Sequence, residues 1–311
     1  MLKTLQETVT DFLNVASNLP TDSLIAYHRM ASCVHILYAA IREAENMQIS
    51  RAEILTAIKP VRLLCSQSPF IARMQTWPRG YPGDFETIEY LCNNSVKAAP
   101  NTPAFYLDHQ ALRSVAAQQH RNKVQWQAQC ISETFLSNDN ARILSVACGS
   151  CRDIQSIQKF VKPTGTHFFL NDVDLEALRY SLYHLESLSS RITLIPGDVF
   201  RSIRKFSKYQ FFHLILAGGL FDYLTDRQIE WLIPKLVQLL HNDGSFCFTN
   251  IAPGNPDRLL MEYLGDWHII ERSEADIHRL VSNIGDSNNI NLSIERDPTG
   301  LTLLIKLQKK H

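Results

Sequence analysis

The sequence lacks an excess of charge of either sign, because its 31 lysine and arginine residues balance 31 aspartate and glutamate residues. A protein that binds nucleic acid through a broad surface needs a surplus of positive charge to contact phosphates. We therefore expect no nucleic-acid partner.

Long apolar runs are also missing, since no stretch of about 18 consecutive apolar residues occurs. The N-terminal segment carries Glu7 and Asp11 among its apolar positions, so it does not contain the uninterrupted apolar region of a secretory signal. The sequence predicts no membrane span and a cytoplasmic location.

Cysteines are few and irregularly spaced: there are seven, an odd number, so a secreted disulfide framework is not expected. Cys148 and Cys151 form a C-x-x-C pair, which is the spacing of a thiol oxidoreductase. No second cysteine pair with ligand spacing follows, so the sequence predicts no metal site. The alternative to a redox pair is that both cysteines are small side chains in a turn.

The chain changes character near residue 140, and we place the domain boundary after residue 135. Residues 1–135 show helical periodicity, with helices predicted at 51–66 and 102–135, and we interpret them as a helical extension that acts as a lid or mediates homodimer formation. Residues 136–311 alternate short apolar runs with amphipathic helices, one of which contains Pro234. Strands are predicted at 143–147, 167–170, 192–195, 211–217, 244–251, 290–294 and 301–307. The last two suit a hairpin, so we expect an α/β fold with a mostly parallel seven-stranded sheet that contains one antiparallel strand.

Small and acidic residues follow the first strands, where parallel sheets bind ligands. The first turn consists of Ala147, Cys148, Gly149, Ser150, Cys151, Arg152 and Asp153, and small residues there let the backbone approach a ligand. A plain strand-to-helix turn is the alternative. After the second strand, Asp172 beside Val173 is placed to accept hydrogen bonds from ribose hydroxyls, and Asp174 to cap a helix.

The third and fourth strands end in similar residues. Asp198 can accept from an adenine amino group while Val199 packs on the ring, and Ala217 and Gly218 leave space for a ligand. In this order and spacing, the residues resemble the class I S-adenosylmethionine (SAM)-dependent methyltransferases over residues 140–311. The resemblance implies SAM as cofactor, bound by a Rossmann-like domain. It departs from the family at Ala147 and Cys151, where glycine is frequent.

Three further segments, 79–85 (RGYPGDF), 217–224 and 261–267, resemble a bacterial subgroup with a helical N-terminal extension. This subgroup includes methyltransferases linked to 3-hydroxy fatty acid methyl ester signals, which implies carboxyl O-methylation of a small or acyl substrate. The proline- and glycine-rich loop is rigid, and Arg79 or Tyr81 could reach a carboxylate of cofactor or substrate. Its alternative role is a connector between helices. Arg121 is a second candidate for the carboxylate.

Catalytic candidates are Asp222, which could orient a nucleophile, Tyr223, which with Phe221 could shape the acceptor pocket, and His120. A carboxylate acceptor is already an anion and needs no general base, whereas a hydroxyl or amine acceptor would need His109, His120 or Asp222. Two alternatives stay open: a non-catalytic SAM-fold module that binds a partner, and a methyltransferase of natural-product biosynthesis with a nitrogen or hydroxyl acceptor.

Some residues of the helical extension and of the 261–267 segment have both a packing and a binding interpretation. His28 and His35, on one apolar helix face, are interpreted as core or interface residues, or as the lining of a substrate pocket. Trp267 and His268 either wall the acceptor site or simply pack.

Overall fold

The computed structural model describes residues 2–161, 165–209, 211–282, 284 and 289–310. The chain forms two compact units, one of Met1–Gln118 and Pro256–His268, the other of Gln119–Asn255 and Ile269–His311. The sequence placed the boundary at residue 135 and did not assign 256–268 to the helical part. This short segment belongs to the first unit because both of its ends pair with helices there: Arg258 pairs with Glu45, and Asp266 pairs with Arg51 and Arg62.

The first unit is helical. Its helices are α1 (Leu2–Ser17), α2 (Ser23–Asn46), α3 (Arg51–Cys65), α4 (Pro69–Thr76), α5 (Phe85–Asn93), α6 (Pro103–Leu112) and the first turn of α7 (Val115–Ser137). The predicted helix at 51–66 is confirmed, and a capping box of Ser50 and Glu53 begins it. The predicted single helix over 102–135 is wrong, because α6 ends at Leu112 and a second helix begins at Val115. The Ser114 hydroxyl accepts from the backbone N–H of Ala117, as a helix-capping residue does.

Helix α2 is long and apolar enough, by length and composition, to cross a membrane. That property does not by itself indicate a membrane span, because the core helix of a soluble protein and a signal sequence share it. Ala26, Met30, Val34, Leu37 and Ile41 of α2 are buried within the helical unit at intervals of three and four residues. This spacing of buried side chains is the one expected for an amphipathic helix that packs with one face against its neighbours. The cytoplasmic location stays a prediction.

The second unit contains a seven-stranded sheet in the order β3-β2-β1-β4-β5-β7-β6. The strands are β1 (Arg142–Val146), β2 (His167–Asp172), β3 (Ile192–Pro196), β4 (Phe212–Ala217), β5 (Leu240–Ile251), β6 (Ile290–Arg296) and β7 (Thr302–Lys309). Strands β1 to β5 pair in parallel, and β7 runs antiparallel between β5 and β6. The predicted fold class is confirmed, because each apolar run forms a strand of the expected sheet.

Helices connect these strands and cover the sheet. They are α8 (Arg152–Ile157), α9 (Leu175–His184), α10 (Val199–Phe206), α11 (Asp226–Gln238) and α12 (Glu274–Ser282). Helix α11 continues through Pro234 and begins at a capping box of Thr225 and Gln228. Because β1, β2, β3 and β4 are parallel neighbours, the residues after them lie along one edge of the sheet. We call residues 147–153, 172–174, 197–199 and 217–219 the carboxyl edge.

Candidate functional site

The turn after β1 has an unusual backbone. Ala147, Gly149 and Cys151 all have positive φ angles, of 48°, 53° and 52°. Residues other than glycine rarely adopt this left-handed conformation, and they do so at a cost that is often found at functional sites. The turn therefore has the backbone that glycine favours at the two positions where the sequence departs from the resembled family.

Asp172 joins the turn after β1 to the end of β2. Its Oδ2 accepts from the backbone N–H of Gly149 at 2.8 Å, and its Oδ1 accepts from the N–H of Asp174 at 2.9 Å. The carboxyl group is buried, and this burial raises its pKa above the usual value, while the two N–H donors act in the opposite direction. Gly149 and Asp172, predicted to converge, are in direct contact.

The end of β3 is tied to the same place. The backbone N–H of Gly197 donates to the carbonyl of Asp172 at 2.9 Å, and the Asn171 amide donates to the carbonyls of Ile195 and Gly197. The turns after β1, β2 and β3 thus form one hydrogen-bonded cluster. Asp198 stands at its end, exposed to solvent.

Of the two contacts predicted to an adenine ring, that of Asp198 stays a prediction and that of Val199 needs correction. The Oδ1 of Asp198 accepts from the N–H groups of Phe200 and Arg201 and so caps α10. Val199 is 5% exposed and packs in the hydrophobic core, so its side chain is not available to a ring. The apolar side chain that is available at this edge is Val173, which is 63% exposed. Asp174 accepts from the N–H of Glu176, which is the helix cap predicted for it.

Asp153, in the first turn of α8, is a buried acid at this edge. Burial raises its pKa from the ordinary 3.8 to about 6, although its Oδ1 accepts from the N–H of Ile154. A carboxyl group whose pKa is shifted by burial is a candidate functional-site residue.

Replacing Asp153 by asparagine should stabilise the protein at pH 7 more than at pH 4. Between about pH 4 and pH 6 the folded protein keeps the Asp153 proton while the unfolded chain has lost it, so parent stability falls as pH rises. Asparagine has no such dependence and can still accept from Ile154. Urea unfolding should show a stability difference between variant and parent that grows by about 2 kcal/mol between pH 4 and pH 7. A difference that is the same at both pH values would contradict the raised pKa.

The two cysteines of the turn are poor candidates for redox chemistry. Hydrogen bonding to Cys151, followed by burial, raises the pKa of Cys148 well above the usual value for a thiol. Cys151 itself is 1% exposed. Reactive cysteines need a lowered pKa and access to solvent. The structure therefore favours the interpretation of both residues as small side chains in the turn.

After β4 the chain is packed more tightly than predicted. A Cβ atom on Gly218 would overlap the amide of Gln127 on α7, so the space left by this glycine is filled by that side chain. Ala217 is fully buried. Neither residue opens space for a ligand in the way that the sequence suggested.

Asp222 also needs correction. Its Oδ2 pairs with Nζ of Lys123 at 2.7 Å, both side chains are 3% exposed, and its Oδ1 accepts from the N–H of Ile251. With both oxygens committed inside the unit, Asp222 fixes the loop after β4 against α7 and β5 rather than orienting a nucleophile. Phe221 stacks on Phe248 in the core and so does not shape a pocket.

Tyr223 and His120 are the remaining catalytic candidates. Tyr223 follows the 3-10 turn Leu220–Asp222 and is 37% exposed, so its side chain is accessible from solvent. His120 lies on α7; burial, together with the charges of Lys123 and Arg121, holds its pKa well below the usual value. At neutral pH its imidazole is uncharged and is a weak base.

Comparison with known proteins identifies the fold. No protein-family model matches this sequence, and no curated protein matches it. A possible exported protein of Bordetella parapertussis matches with a TM-score of 0.60 and 13% identity, covering 100% of this chain and 96% of its own. A candidate methyltransferase of Thermobifida fusca YX matches with a TM-score of 0.51 and 15% identity, covering 76% of this chain and 100% of its own.

The fold is methyltransferase-like. At these identities the likeness concerns the fold alone, and it agrees with the strand order of the sheet. Among the residues that the structure describes, no group of three or more histidine, cysteine, aspartate or glutamate side chains could hold a metal ion.

Sequence reasoning missed the polar face of α7. Gln119, Lys123 and Gln127 are spaced by four residues and lie on one side of the helix. Gln119 accepts from the hydroxyl of Thr302 at 2.6 Å, Lys123 pairs with Asp222, and Gln127 occupies the space at Gly218. Their spacing of four residues indicates a shared helix face, but polar residues with this spacing on a long helix are also typical of a face exposed to solvent.

Arg121 and Arg152 lie in the second unit, whereas Arg79 and Tyr81 belong to the helical unit. Arg79 lies over the Phe85 ring and within 3.8 Å of Glu86, and the neighbouring Asp84 caps α5 and pairs with Arg73. These contacts are those of a connector between α4 and α5, the alternative role considered for this loop. Whether Arg79 or Tyr81 binds a carboxylate stays a prediction.

Other members of that unit include Trp267, which is buried, and His268, which contacts Arg51. His28 is exposed, so it is not a core residue. His35 lines a cavity.

Proposed function

We propose that this protein is a SAM-dependent methyltransferase that binds its cofactor at the carboxyl edge. The observation that carries the proposal is the hydrogen bond from Gly149 to the buried carboxylate of Asp172 in a turn with three left-handed residues. This hydrogen bond supports the proposal, because a carboxylate beside a backbone that a ligand can approach closely is suited to accept from ribose hydroxyls.

The residues present fit a nucleoside without phosphate. An ionised carboxylate has about four lone-pair sites, and the N–H groups of Gly149 and Asp174 leave some of those of Asp172 for hydroxyl donors. Val173 offers an exposed apolar surface beside it. A pyrophosphate would require a turn richer in glycine, whereas SAM has none.

The chemistry that SAM supplies is a methyl group already activated on a sulfonium. The protein then has to align the acceptor and exclude water. The acid after β4 that the sequence offered as a base, Asp222, is paired with Lys123, and the imidazole of His120 is a weak base. An acceptor that brings its own negative charge suits such a site, so we propose carboxyl O-methylation of a small or acyl substrate.

Calorimetry with SAM, followed by measurement of S-adenosylhomocysteine release with a panel of carboxylic acids, tests the proposal. We expect binding heat and product with at least one acid, and none with the corresponding alcohols or amines. No heat at high protein concentration would defeat it. Binding without turnover on any acceptor would instead favour the non-catalytic module.

Replacing Cys148 and Cys151 together by serine separates methyl transfer from thiol redox chemistry. Because serine is also small, we expect SAM affinity to change by less than about threefold, a difference well below 1 kcal/mol. Calorimetry of the variant gives this value. Loss of a disulfide reductase activity that the parent possesses would instead support the oxidoreductase.

A further inference from the structure

A cavity of about 200 Å³ lies entirely within the helical unit. Its floor is apolar and buried, and the side chains that form it are Val34, Ile71, Leu107, Ala111, Leu260 and Leu264. Allowing about 30 Å³ for each water-sized group, it has room for about seven such groups. A short alkyl chain or a single aromatic ring fits this volume.

The rim of the cavity carries three polar side chains that have no hydrogen-bond or ion-pair partner among the described residues. They are those of Tyr38, Gln110 and Arg113. Desolvation by burial raises the pKa of Tyr38 well above the usual value, so its hydroxyl keeps its proton and can donate. An apolar floor below a few convergent polar groups is the usual construction of a small-ligand site.

Arg113 supplies a positive charge at the rim. Asp257 also lines the cavity, but its Oδ2 accepts from the N–H of Ala116, and so it is engaged at the start of α7. Burial raises the pKa of Asp257 above its usual value, while the N–H groups of Ala116 and Val115, and then His35, act in the opposite direction. Arg113 is left as the charged group without a partner, and its planar guanidinium pairs well with a carboxylate.

We propose that this cavity binds an amphipathic carboxylic acid, with the alkyl or aryl part on the apolar floor and the carboxylate at Arg113. Tyr38 and the Gln110 amide supply further donors to the carboxylate oxygens. The site belongs to the helical unit and stands whether or not the proposed methyl transfer holds. Only the idea that such an acid is also the methyl acceptor rests on the proposed function.

Calorimetry on the full chain without SAM tests the proposal, with octanoate as the probe and octanol and octylamine as neutral and cationic controls. The octanoate tail has about as many carbon atoms as the cavity has water-sized spaces. We expect octanoate to bind about tenfold or more tighter than octanol, as a charge-assisted hydrogen bond implies. Equal or tighter binding of octylamine, or no binding of octanoate, would overturn the site.

Two variants locate the binding. Arg113→Gln changes an exposed side chain and should reduce octanoate binding to the level of octanol, without changing octanol binding. Ala31→Trp adds volume at a half-buried lining position and should abolish binding of both. If Ala31→Trp does not fold, the Arg113→Gln result decides alone. Octanoate affinity that Arg113→Gln leaves unchanged would contradict the proposal.

The matched control is Asp172→Asn in the other unit, which should weaken SAM binding and leave octanoate binding as in the parent. Failure of SAM binding in the parent, with octanoate still bound, would sink the methyltransferase and not the cavity. The converse result would sink the cavity alone.

Discussion

Replacing Lys123 by methionine should lower the free energy of unfolding by about 3–5 kcal/mol. Methionine keeps much of the volume of the lysine side chain but leaves Asp222 as a buried charge without its cation. Both side chains are 3% exposed, so water cannot replace the lost partner. Urea unfolding monitored by circular dichroism gives the value, with the slope of the transition as a check on two-state behaviour.

The control for this variant is Lys208→Met, at an exposed position of the same unit, which should change stability by less than about 0.5 kcal/mol. Adding Asp222→Asn to Lys123→Met should recover part of the loss, because the amide is neutral and its oxygen can still accept from Ile251. A loss below about 1 kcal/mol in the single variant would mean that the pair is solvated.

The second large effect is expected for Asp172→Asn, which should weaken SAM binding about a hundredfold. Two charge-assisted hydrogen bonds to ribose hydroxyls are lost, each worth about 1.5 kcal/mol or more. The new amide also turns an N–H₂ group toward the N–H of Gly149 or of Asp174, which disturbs the turn. Calorimetry with SAM measures the affinity, and circular dichroism shows whether the fold is kept.

Asp174→Asn, two residues further on, is the matched control. It removes the same charge from the same edge but keeps an oxygen that can cap α9, so SAM affinity should stay within about threefold of the parent. If Asp172→Asn and Asp174→Asn weaken binding equally, the effect comes from charge at the edge and not from a contact with the ribose.

The strands were predictable because a buried parallel strand needs a continuous apolar run, which is visible locally. Phe212–Ala217 is such a run, interrupted only by His213, whose Nδ1 accepts from the N–H of Arg142. The break between α6 and α7 was not predicted, because Ser114 reads equally well as a helix-interior residue or as a cap. Ser114 can cap α7 only because α6 ends at Leu112, two residues before it.

The candidate site was partly predictable for the same reason. Gly149 and Asp172 sit at the ends of neighbouring parallel strands, so their contact follows from the sheet. The partners of Asp222 did not follow from it. Lys123 lies 99 residues away on a helix that reads as a solvated one, and only its packing shows that the pair is buried.

The sequence by itself determined the order and type of the strands, the sheet they form and the positions of the acids that follow them, since periodicity and turn chemistry are local properties. Tertiary structure alone decided which partners these acids have. Asp198 became a helix cap, Asp222 an ion-pair partner, and Asp172 the buried acceptor beside Gly149. The reason is physical: a carboxylate's role depends on the donors around it, and those come from distant parts of the chain.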